Sequence, residues 1–227
     1  ATISSIVDTA SNAELVDSGA LYGFNGYIFD RYGSAPKFNH LSSRIGHVGP
    51  WLLGSRDTGK FGQIIARESN DVWEKVTIRY EGDGADWLET TLTLPHGVSR
   101  LHIANKLHKP SDLGKESVYF AFPFNFPDAE LRYEITGGTT SITDPHVPGS
   151  AQHFKAIRNW TTVTHPDAPA IAWATTDAPL IQAGNIHIPY APFPTTIDER
   201  HTSPATIYSW ALNNIWDTNF PPEQGGE

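Results

Sequence analysis

Between Val72 and His108 the chain alternates apolar and polar residues with a period of two, and two turn signals divide the run into three pieces. Val72, Val76, Ile78 and Tyr80 fall on one side, with Lys75, Thr77 and Arg79 on the other. Gly82-Asp83-Gly84 then supplies a turn. Leu88, Leu92 and Leu94 next oppose Glu89, Thr91 and Thr93. After Pro95-His96-Gly97, Leu101, Ile103 and Leu107 oppose His102, Lys106 and His108. Side chains that alternate in this way belong to half-buried strands, and turns this short join antiparallel neighbours. A three-stranded meander is predicted.

The same signal recurs downstream. Glu116–Phe122 is nearly continuously apolar, which predicts a strand buried on both faces. Leu131, Tyr133 and Ile135 alternate with Arg132, Glu134 and Thr136 before Gly137-Gly138. Further β-type runs lie at Trp160–Thr164, Ala170–Thr175, Leu180–Gln182, Asn185–Ile188 and Thr206–Ile215. Only one short helix is predicted, with Ser11 capping Asn12–Asp17 and Gly19 closing it. No other segment repeats apolar residues at helical spacing over three turns. With 17 Pro and 19 Gly punctuating about a dozen short strands, the expected class is all-β. The expected architecture is a large antiparallel β-sandwich formed as a single domain over residues 1–227. Tyr190-Ala191-Pro192-Phe193-Pro194 reads as an ordered crossing loop.

Composition excludes several functions. No apolar run approaches the roughly 18 residues of a membrane-spanning helix. The net charge of −9, with no basic cluster, excludes a nucleic-acid interface. There is no Cys, hence no disulfide framework or thiolate metal site, which suits a cytoplasmic protein of bacterial type. Ala1–Ser5 has neither the basic start nor the apolar core of a signal peptide. There is also no Met, and Gln224-Gly225-Gly226-Glu227 reads as a turn towards a further strand. Both suggest a fragment of a longer chain.

The residues capable of chemistry are scattered. Ten His invite a metal site, but His102 and His108 share a strand face roughly 20 Å apart, and no His-x-His or His-x-x-x-His occurs. Exposed or hydrogen-bonded loop histidines are the better reading. Asp83 with Asp86, Asp198 with Glu199, and Asp217 with Glu223 are the nearest carboxylate pairs for glycosidic acid–base work. The first two sit in turns, where Asp closes the turn. Trp51, Trp73 and Trp87 are single aromatics, for which rim or core packing is the default. Tyr22-Gly23-Phe24-Asn25-Gly26-Tyr27 fits a ligand loop or a tight turn. The densest cluster is Trp210–Glu227, where aromatic rings alternate with amides and a carboxylate. Rings that stack on sugar C–H groups, beside donors and acceptors for hydroxyls, suit a carbohydrate.

Four stretches resemble the C-terminal β-sandwich region of family 38 glycoside hydrolases, the α-mannosidase group. They are Lys115–Phe124, Arg158-Asn159-Trp160, Asp177–Leu180 and Tyr208–Phe220, the last ending Asn213-Asn214-Ile215-Trp216-Asp217-Thr218-Asn219-Phe220. The resemblance covers the second half well and the first half only through its strand-rich pattern. It implies a galactose mutarotase-like supersandwich that packs against an N-terminal catalytic barrel. That barrel would hold zinc and the nucleophile; neither has a counterpart here, so no catalytic residue, metal ligand or cofactor is assigned to this chain. Asn213, Asn214, Trp216, Asp217 and Asn219 are the residues expected to meet a carbohydrate or the interface with the catalytic domain. Two alternatives stay open. One is a stand-alone carbohydrate-binding module. The other is a mutarotase-like enzyme, which would need His96 or His165 near Asp217 or Glu223.

Overall fold

The computed structural model describes residues 2–33, 53–112, 114–144, 147–148, 150, 152, 154–187 and 205–214. Among these residues there is no helix, and every strand pairing is antiparallel. Strands are numbered β1–β16 along the chain. A six-stranded sheet runs in the order β12 (Lys155–Ala156), β15 (Leu180–Ala183), β16 (Thr206–Asn214), β9 (Glu116–Pro123), β3 (Gly26–Tyr32), β4 (Leu53–Thr58). A four-stranded sheet follows sequence order through β5 (Lys60–Ser69), β6 (Trp73–Glu81), β7 (Trp87–Pro95) and β8 (His102–His108). A second one is ordered β11 (Gly138–Ser141), β10 (Glu130–Ile135), β13 (Trp160–Thr164), β14 (Ile171–Ala174). β1 (Val7–Asp8) and β2 (Ala13–Glu14) form a small hairpin.

The main core lies on one face of the six-stranded sheet. Tyr27 and Phe29 of β3, Val118, Phe120 and Phe122 of β9, and Ile207 of β16 point into it. Tyr80 and Leu88 of one four-stranded sheet, with Leu131, Tyr133 and Val163 of the other, complete the same cluster. The opposite face carries Ile28, Tyr119, Ala121, Tyr208 and Trp210, also buried. Consecutive β9 residues therefore point into two cores, which is why Val118–Pro123 reads as an unbroken apolar run.

The meander β6–β7–β8 has the predicted order and the predicted facing sides, with Val76 opposite Leu92 and Leu92 opposite Ile103. The predicted helix is absent. Asn12 takes a left-handed conformation, φ 58°, and Ala13–Glu14 pairs with Val7–Asp8 instead. Glu14 stabilises this by accepting hydrogen bonds from Ser5 Oγ and from the amides of Ile6 and Val16. The strand expected at Asn185–Ile188 is also absent over its described residues. There the chain turns at Gly184, φ 73°, and the His187 amide returns to Gln182 Oε1 at 2.7 Å. The 189–194 loop lies outside the described residues.

Candidate functional site

β16 runs between β15 and β9, so residues 206–210 are buried. Trp210, only 4% exposed, stacks on Tyr119 with ring centroids 5.6 Å apart. Its Nε1 donates to Ser117 Oγ at 2.9 Å. Trp210 is therefore a core residue, and the apparent sugar-facing ring at the head of the closing cluster is corrected. Past a bulge between Trp210 and Leu212, the strand reaches the surface. Asn213 stands opposite Ser117 and Asn214 opposite Glu116. Asn214 Nδ2 donates to the carbonyls of Asp112 (3.0 Å) and Gly114 (2.6 Å), so its amide clasps the turn before β9. Trp216, Asp217 and Asn219 lie outside the described residues.

Beside Asn214 is a charged node. The buried Glu116 carboxylate accepts from Arg31 Nε (3.1 Å) and Nη2 (2.8 Å) through Oε1, and Lys109 Nζ lies 2.7 Å from Oε2. Two cations compensate a carboxylate taken out of water, which it needs if it is to remain ionised. Arg31 also reaches Asp112 at 3.5 Å, and the Gly114 amide, 2.7 Å from Asp112 Oδ1, holds that carboxyl below its ordinary range.

The opposite face of the same end of β3 is built differently. Arg56 of β4 stands opposite Asp30, grips both carboxylate oxygens, and donates through Nη1 to Tyr22 Oη at 3.2 Å. Tyr22 packs edge-on against Tyr208, centroids 6.1 Å apart. Burial pushes the Tyr208 and Tyr32 phenols up to about 12. Next to this pair is a cleft of about 130 Å³, lined by Thr2, Leu21, Tyr22, Gly23, Gly26, Tyr27, Thr58 and Gly59. The Tyr22–Tyr27 stretch proves to be a tight turn, with Asn25 left-handed at φ 57° and the Gly26 amide bonded to Gly23 O at 2.8 Å. Asn25 joins the sheets: its side chain exchanges hydrogen bonds with Asn105 at 3.0 and 2.8 Å.

Sequence reasoning missed Arg56 and Thr58 because β4, Leu-Gly-Ser-Arg-Asp-Thr, has almost no apolar alternation. The one available signal was Asp30 within an otherwise apolar-aromatic strand, since a carboxylate there needs a partner.

The remaining candidates resolve singly. Asp83 closes its turn, its carbonyl taking Tyr27 Oη at 2.7 Å. Asp86 Oδ2 lies 2.8 Å from His108 Nδ1, and His108 stacks on Trp87 with centroids 6.2 Å apart. Trp87 also has the Arg79 guanidinium 5.9 Å from its ring centre, and Trp73 has Lys75 Nζ at 5.3 Å. Both indoles are thus engaged within the sheet surface. His96 faces Glu74 at 3.7 Å, and His165 Nδ1 accepts from the Asp167 amide. Trp51, Asp198, Glu199, Asp217 and Glu223 lie outside the described residues. Among the described residues no three His, Asp or Glu side chains converge as metal ligands would. No known family model matches the chain, and no curated protein matches it.

Proposed function

We propose that this chain is a galactose mutarotase-like β-sandwich domain of an α-mannosidase-like glycoside hydrolase. In this role it packs against a separate zinc-dependent catalytic barrel and contributes carbohydrate contacts near Asn213–Asn219. The resemblance of Lys115–Phe124 and Tyr208–Phe220 to that family supplies the identity of the neighbour. The supporting structural observation is the outer half of the β5–β8 sheet. Its core-side face continues beyond Tyr80 and Leu88 with Ile64 opposite Ile78, with Val76, Leu92 and Ile103 in one row, and with Leu94 opposite Glu74. Ile64 is 51% exposed and Leu94 50%, and the others are only half-buried. An apolar sheet face left to water forfeits about 25 cal/mol per Å² that a covering layer would recover. A domain contact accounts for it.

Leu94→Glu tests this reading. Glu74 stands directly opposite on β6, so the new carboxylate is expected to cost the isolated chain a small amount, up to about 1 kcal/mol. In the full-length protein it should lower the melting temperature clearly, because a charge is then buried at a domain contact. An equally small effect in both would contradict the proposal.

A further inference from the structure

We infer that the cleft between the Tyr22 turn and the end of β4 is a binding site for a single pyranose ring. At about 130 Å³ it is far smaller than the pockets of 300 Å³ and more that hold drug-sized ligands. It is close to the roughly 150 Å³ of an engineered cavity that takes one benzene, and because it opens to solvent a single pyranose can seat one face there with its substituents outside.

The walls specify the chemistry of that ring. The Tyr22 hydroxyl is committed to Arg56, which Asp30 holds in turn, so the Tyr22 side chain that lines the cleft is held in a fixed orientation. Leu21, 81% exposed, adds an apolar lip. Thr2 and Thr58 line the same cleft, and neither hydroxyl has a hydrogen-bond partner among the described residues. No charged side chain lines it. A cleft lined by Tyr22 and Leu21 together with two threonines, and by no charge, matches a neutral ring that is apolar on its C–H face and polar at its rim.

The glycines keep the shape. A Cβ on Gly59 would come within 2.8 Å of the Tyr80 ring, and one on Gly23 within 2.7 Å of Thr2. Thr2 therefore sits directly on the turn backbone, and the walls at Gly23 and Gly59 are fixed by close packing. Gly26 begins β3 opposite Ala121, five residues from the Arg31–Glu116 pair that marks the Asn214 end, a separation of roughly 17 Å. The cleft is thus distinct from the Asn214 end of β16. It adds to the carbohydrate part of the proposed function a ligand of stated size and a second location.

The test is a titration of the isolated chain with methyl α-D-mannopyranoside and methyl α-D-glucopyranoside, followed by amide chemical shifts, with tetrahydropyran as the ring lacking hydroxyls. Saturable shifts are expected at Thr2, Leu21–Gly26 and Thr58–Gly59, with a dissociation constant on the order of 1 mM for a ligand this small. Thr58→Val and Thr2→Val keep the side-chain shape and should each weaken binding by about three- to tenfold. Tyr22→Ala should abolish it, and tetrahydropyran should not bind. Shifts located elsewhere, no saturation, or unchanged affinity in the Thr2→Val/Thr58→Val double variant would overturn the assignment. None of these outcomes bears on the Leu94→Glu comparison, so the two readings fail separately.

Discussion

Arg56 and Asp30 occupy directly opposed positions on β4 and β3, and the guanidinium grips both carboxylate oxygens at 2.6 Å. Asp30 is 0% exposed, so this fork is what allows a carboxylate to sit inside the sheet face at all. Arg56→Met should therefore cost about 3–5 kcal/mol by leaving a buried charge uncompensated. The Asp30→Asn/Arg56→Met double variant should recover much of that loss. Denaturant melts of the four proteins in the cycle measure the coupling; additive losses would remove the pair from the account.

Trp210 gives a second prediction, because its two contacts assign it to the core. Trp210→Ala is expected to destabilise the fold by about 3–5 kcal/mol through loss of the Tyr119 stack and of packing volume. Trp210→Phe should cost less, chiefly the Ser117 hydrogen bond. A Trp210→Ala protein with wild-type stability but altered glycan binding would return this residue to a surface role.

Lys155 supplies a pH dependence. Its side chain is 8% exposed on β12 and donates to Gln152 Oε1, and burial lowers its pKa from 10.5 to about 8. Between these values the unfolded chain holds a proton that the folded chain has released, so stability rises with pH there. Relative to Lys155→Met, the native protein should gain on the order of 1–3 kcal/mol between pH 8 and 10.5, with little further change above that range. Urea melts at fixed pH values read this directly. A flat difference would mean that Lys155 is solvated.

What the sequence disclosed follows from which interactions are local. β6, β7 and β8 were legible because their alternation and their turns lie within about ten residues of each other. β9 was legible because two cores demand apolar residues on both sides. β5 left no such trace: all ten of its residues are exposed, two bulges interrupt its pairing, and Phe61 and Ile64 stand among charges. The helix expected at Asn12–Asp17 had the right composition. However, Glu14 was needed as an acceptor for three donors, and tertiary demand overrode local propensity. The candidate site was less visible still. Asp30 and Arg56 are 26 residues apart, Asn25 and Asn105 are 80 apart, and Thr2 meets Gly23 only through folding. No spacing rule within one strand encodes a register between strands. Trp210 was misread for a related reason: its two-residue spacing from buried Tyr208 placed it on a core face, while its Asn neighbours suggested a sugar site.

The claim that this domain serves a catalytic barrel lying outside it is tested most directly by assaying the isolated chain on aryl α-mannosides, with and without added zinc. The account predicts no turnover above background in either condition. Clear zinc-dependent hydrolysis by residues 1–227 alone would contradict it.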